Sequence, residues 1–256
     1  MKKIILTILI LAFCVSISGA GITDKLRAVI AARNVPAPGG GTPAWGGDIA
    51  TRLSVTNDTA ANTLTVNRNC LTGEHIVVLA YVLNASMSVS SVVDDASNTY
   101  ALRKSYRTSN NDMLEIWSAP VTAQLDSAED ITITWDDTTY THKGAAAIYL
   151  TDINADTPVD ATIDVTDYGT SLEADPPADI TITANNSVAI AWIISDPGEY
   201  TYGSGSWTNI FGPVSWGAIT ADNYSMYKEF SSSGTKNPGG AWNTNVSWWG
   251  IIVAFK

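Results

Sequence analysis

The chain is poor in the residues that carry most enzymatic and metal chemistry. Its 256 residues include two histidines and two cysteines, and charged side chains make up 15%. Zinc sites built from several imidazoles or spaced cysteine pairs are therefore out of reach. A Ser-His-Asp triad has only His75 and His142 to draw on. There is no G-x-S-x-G elbow, no phosphate loop and no dinucleotide fingerprint. Basic residues are scarce as well, 14 against 25 acidic ones, and the net charge of −11 repels phosphate backbones. Nucleic acid is accordingly not expected as a partner. A hydrophobic fraction of 45% is too high for a disordered chain and too low for a multi-span membrane protein.

Residues 1–20 (MKKIILTILILAFCVSISGA) have two lysines, an apolar run and a small-residue end, the layout of a secretory signal peptide. The apolar run is shorter than the ~20 residues a spanning helix needs. Export with cleavage after Ala20 is the expectation, giving a secreted, extracellular or periplasmic protein with no membrane segment. Losing Lys2 and Lys3 takes the net charge from −11 to −13 and losing Cys14 leaves Cys70 alone, so no internal disulfide is expected. Cys70 is read as buried and inert, since a nucleophilic thiol needs an activating base.

Residues 21–34 have apolar positions at helical spacing (Ile22, Leu26, Val29, Ile30), and residues 35–43 are rich in Pro and Gly. A short helix and a flexible linker, together 21–47, are predicted to precede one domain over 48–256. From there the period changes. Stretches 51–56 and 63–67 alternate polar with apolar, while 75–83 (HIVVLAYVL) is continuously apolar, as in a strand covered on both faces. About a dozen such strands, separated by Asn, Asp, Gly, Ser and Pro, follow without crossover helices. This predicts an all-β protein, a two-sheet antiparallel β-sandwich of jelly-roll type. No fixed-length internal repeat is visible.

Four stretches occur in a suggestive order: Asp95-Ala96-Ser97-Asn98-Thr99-Tyr100; Glu115-Ile116-Trp117-Ser118-Ala119; residues 145–150 followed by Thr157-Pro158-Val159-Asp160; and the closing residues 248–256 (WWGIIVAFK). Over about 50–256 the arrangement resembles a β-sandwich module group of secreted bacterial and phage-associated proteins. The resemblance implies the fold and an extracellular setting, and it carries no catalytic residue across.

With catalytic groups scarce, binding is the economical reading. Tyr200, Tyr202, Trp207, Trp216 and Trp242 stand among Gly and Ser, and rings on loops anchor sugars or partners through apolar faces and polar edges. These five are the predicted ligand-binding set, for a polysaccharide or cell-surface glycan. Asp94, Asp95 and Asn98 are candidate oxygen ligands for a structural calcium, although they lack the spacing of a dedicated calcium loop; no other cofactor is expected. The alternatives are a self-associating subunit of a fibre, coat or phage-tail-like assembly and a glycoside hydrolase on a jelly roll. For the last, Glu115 shares a strand face with Trp117 by the period-2 rule, and a salt bridge or exposure to solvent explains that pair equally well.

Overall fold

The computed structural model describes residues 41–50, 53–57, 59–83, 86–108, 111–137, 141–173, 180–195, 200–202, 207–215, 222–236 and 240–256. The predicted signal peptide, the helix at 21–34 and residues 35–40 of the linker lie outside them. Residues 38–256 belong to one compact unit. All regular structure among the described residues is β.

Two groups of strands follow one another along the chain. The first runs β1 (Ala44–Asp48), β2 (Leu53–Asn57), β3 (Ala61–Thr65), β4 (His75–Leu83), β5 (Val89–Asp94), β6 (Ala101–Arg107), β7 (Met113–Pro120), β8 (Asp130–Trp135) and β9 (Thr141–Thr151). The second runs β10 (Val159–Glu173), β11 (Ile180–Ile182), β12 (Ser187–Ser195), β13 (Tyr200–Tyr202), β14 (Thr208–Ser215), β15 (Asp222–Phe230), β16 (Gly234–Lys236) and β17 (Gly240–Phe255). Every pairing is antiparallel.

In the first group β9 is flanked by β4 and by β1 and β2, and β4 continues through β7 to the edge strand β6; β3, β8 and β5 make a separate small sheet. The second group repeats this plan. β10, β17, β12, β15 and β14 stand in the order of β2, β9, β4, β7 and β6, and β11 pairs β16 as β3 pairs β8. Each partner lies eight strands further on. One strand departs from the plan: β5 joins β8, whereas its counterpart β13 joins β17. The repeat is one of topology, which is why no fixed period marks it in the sequence.

Apolar side chains sort into three layers. Alternate residues of β4 (Ile76, Val78, Ala80, Val82) pack with Leu64, Val92, Ile131, Ile133 and Trp135 of the small first sheet. The other alternation (Val77, Leu79, Tyr81, Leu83) meets Val188, Ile190, Trp192 and Ile194 of β12 and Ile251, Val253 and Phe255 of β17. Ala189, Ala191 and Ile193 turn the opposite way, onto Ile180, Ile182, Trp207 and Phe230. Four stacked sheets thus replace the two expected. The physical reason is legible in β4, β12 and the end of β17, whose apolar runs have no polar face to give to water.

A narrow seam element closes one side of the stack. Trp45 of β1 lies flat on Tyr227 of β15, centroids 4.6 Å apart and planes 13° from parallel, while its backbone N–H donates to Glu229 Oε1 at 2.9 Å. Next to it the β1–β9 register slips between Trp45 and Gly47. Gly47 has φ +137°, and a Cβ on Gly46 would occupy the Tyr149 ring. Glycine is required there by the close approach.

Candidate functional site

The predicted aromatic set does not hold together as read. Trp207 is buried between β12–β15 and the β11–β16 pair, its ring edge-on to Phe230 at 6.1 Å, so it offers no open face to a ligand. Trp216 lies outside the described residues. The stretches taken as aromatic loops contain strands: β13 covers Tyr200–Tyr202, and β14 covers Thr208–Ser215 with Phe211 buried in the central layer. Gly212 and Pro213 disguise β14, an edge strand whose register slip between Phe211 and Val214 accommodates both residues. What the fold does bring together is Tyr200 and Trp242, direct cross-strand partners in β13 and β17, with Tyr202 opposite Gly240.

The calcium candidates are knitted into a turn. Asp94 Oδ1 accepts the Asn98 backbone N–H at 2.9 Å, and Oδ2 accepts Asn98 Nδ2 and the Tyr100 hydroxyl, both at 3.0 Å. Asn98 Oδ1 in turn accepts the backbone N–H of Thr122 at 2.8 Å and of Ala123 at 3.0 Å. Asp95 Oδ2 accepts the Asp130 N–H at 2.9 Å. Ser97, at φ 62°, makes the turn that lets these groups meet. Both Asp94 oxygens, Asn98 Oδ1 and one Asp95 oxygen thus already accept hydrogen bonds, and Asn98 ties the β5–β6 turn to Thr122 and Ala123. Among the described residues no three His, Cys, Asp or Glu side chains converge as a metal site.

Glu115 and Trp117 do share a face of β7, and neither a salt bridge nor exposure explains them. Glu115 is 3% exposed and accepts the Trp117 indole N–H at 2.7 Å. Burial pushes its carboxyl upward, against the pull of the Trp117 and Ser105 donors and of the Arg107 charge. Arg107 is spent elsewhere, on the carbonyl of Met87 and the hydroxyl of Ser88.

His75 opens β4 in the core, as a strand-end histidine is expected to. Its Nε2 and the Ser118 Oγ are 2.9 Å apart, and Arg103 Nε donates to the same oxygen at 2.8 Å. Phe255 lies against the imidazole at 5.8 Å. Burial first, and then the Arg103 charge, lower the histidine's pKa to about 3, so the ring that pairs with the Ser118 hydroxyl is neutral. This trio escaped sequence reading because Arg103 is the extra residue of a bulge, between Leu102 opposite Trp117 and Lys104 opposite Ile116. Period-2 counting assigns such a residue to the wrong face. Cys70 is fully buried, with its thiol pushed up to about 11 by desolvation, which suits the inert reading. His142 is half-buried on β9, with its backbone opposite both Thr56 and Leu83.

No family model, no curated protein and no solved structure matches this chain.

Proposed function

We propose that the chain is a non-enzymatic secreted binding or adhesion module, with carbohydrate the favoured ligand class, and that each strand group is a variant jelly roll. The observation that carries the binding reading is the register that sets Tyr200 opposite Trp242. It joins two aromatic residues from distant parts of the sequence on one rung, beside strands linked by Gly- and Ser-rich segments, and a paired aromatic rung is the element a sugar face stacks on. The jelly-roll reading is supported by the twice-used order in which the last strand, β9 or β17, lies between β2 and β4 in one group and between β10 and β12 in the other. The secreted setting is supported by the pattern of residues 1–20 and by the resemblance to modules of secreted bacterial and phage-associated proteins.

A glycan array probed with purified protein tests the binding reading. Tyr200→Ala and Trp242→Ala are expected to abolish the glycan signal while leaving the melting temperature near that of the wild type. Trp207→Ala is expected to lower the melting temperature instead. A folded Trp242→Ala protein with an unchanged glycan profile would exclude the rung as the site.

A further inference from the structure

We propose that Arg103 is the anchoring residue of a second, unassigned binding site, one that takes a single carboxylate group at the side of the stack where β6 runs beside β10 and β17. This inference does not depend on the aromatic rung of β13 and β17.

The argument starts at the bulge. Six residues of β6 are placed by their pairing with β7, and Arg103 is the one the ladder skips. Bulges re-aim side chains, and this one turns Arg103 toward Ser118, which is fully buried. The Nε–Oγ bond of 2.8 Å fixes the guanidinium at its inner edge. Ser118 is held in turn by His75, 1% exposed with its Nε2 2.9 Å from the hydroxyl oxygen. The arginine is therefore held by a positioning chain two residues deep, as preorganised recognition sites require.

The outer edge of the same guanidinium is unspent. Neither Nη nitrogen bonds a described group, and neither is a buried atom. No described carboxylate forms an ion pair with Arg103. The only shift in its ionisation is a lowering by burial, with no acidic neighbour contributing. In a chain with 25 acidic residues and 14 basic ones, a half-buried arginine with no anion among the described residues is a departure that needs a cause. The strand concentrates positive charge besides, with Arg103, Lys104 and Arg107 in seven residues. A planar fork with both outer N–H groups free matches a carboxylate bidentately. The net charge of −11 argues against a polyanion and for a ligand bearing an isolated negative group, such as an acidic sugar residue.

His75 is the built-in reporter. The groups facing it are Ser118, Arg103 and Phe255. An anion on Arg103 cancels the charge that disfavours the imidazolium, so binding must move the histidine's titration midpoint upward. The experiment is an NMR titration of the full chain, 15N- and 13C-labelled, with sodium glucuronate against glucose, and with sulfate, at constant ionic strength. Glucuronate is expected to shift the His75 ring and Arg103 Nε signals and to raise the His75 midpoint, with glucose silent and sulfate weaker. Arg103→Lys keeps the charge and the fold but loses the fork, and is expected to weaken glucuronate binding by about tenfold or more. Ser118→Ala, with the arginine released from its support, is expected to weaken it less. Wild-type affinity in the Arg103→Lys protein, an equal response to glucose, preference for sulfate, or an unmoved His75 would each overturn the proposal. Loss of glycan binding through Trp242→Ala with glucuronate binding intact separates this site from the aromatic rung.

Discussion

The two strand groups share a plan of pairing and differ in how they treat buried polar atoms. In the first, the indoles of Trp117 and Trp135 donate to Glu115 and Asn62, and Ser118 is held from two sides. In the second, the indole nitrogens of Trp192, Trp207 and Trp249 and the hydroxyls of Ser187, Ser195 and Ser225 are buried without a hydrogen-bond partner. Trp192 and Trp207 have edge-on ring neighbours instead, Tyr81 and Phe211 for one and Phe230 for the other. The Ser118 and Glu115 contacts of the first group are thus closed, while among the described residues the second group buries more unbonded donors, which cost about 1–3 kcal/mol apiece. Arg68 Nη1 in the first group is buried unbonded too, and Asp160 in the second is satisfied by Thr183 and Ala184. Identical topology does not impose identical energetics, because the ladder satisfies only the backbone.

The largest effect that would sharpen this contrast is acid sensitivity centred on the first group. Burial lowers the His75 pKa from its ordinary value near 6.5 to about 3 in the folded protein, so the unfolded chain binds the extra proton between these values. Its contribution is complete above pH 6.5 and falls as the pH drops toward 3, by about 5 kcal/mol at most. Glu115, with its raised pKa, acts with the opposite sign: it favours folding below its ordinary range and loses that contribution as the pH rises. Urea denaturation at a series of pH values should show a shallower acid slope for His75→Gln than for the wild type. Equal slopes would remove the trio from the energetics.

The turn network comes next. Asn98→Ala removes the acceptor of two backbone N–H groups and the Nδ2 bonds to Asp94 and to the Ala123 carbonyl, and should cost about 3 kcal/mol in chemical denaturation, with no dependence on added calcium. A melting point that rises with calcium in the wild type and not in Asn98→Ala would restore the cation reading.

A smaller and more direct comparison uses one substitution in both groups. Ser118→Ala leaves His75 and Arg103 without their shared partner and should destabilise by about 2 kcal/mol. Ser225→Ala deletes a hydroxyl that bonds nothing and should be neutral or stabilising by about 0.5 kcal/mol. If both cost the same, the difference between the groups is one of drawing and not of energy. The smallest effect belongs to Trp207→Phe, which sheds an unbonded indole nitrogen but keeps a ring against Phe230, and should change stability by about 1 kcal/mol or less.

How much of this was legible depends on which force places a residue. The eight apolar residues that follow His75 in β4 announce a strand buried on both faces, and β12 repeats the signal. Three such runs require more than two sheets. The strands β1, β13, β14 and β16 were missed because Gly, Pro and short length outweigh alternation in any local reading. Of the candidate sites, the Asp94-Asn98 turn is visible in the sequence as a gathering of oxygens, whereas the hydrogen bonds those oxygens already accept are visible only in the structure.

By itself the amino-acid sequence determined the all-β class, the scarcity of catalytic groups and the strands that must be covered, because these follow from composition and from side-chain alternation, which are local properties. Tertiary structure alone decided that the pairing plan is used twice, that Trp207 turns inward and that Arg103 is steered onto Ser118 and His75. Each of those depends on which distant strand lies alongside, and on a one-residue slip in register that no local pattern encodes.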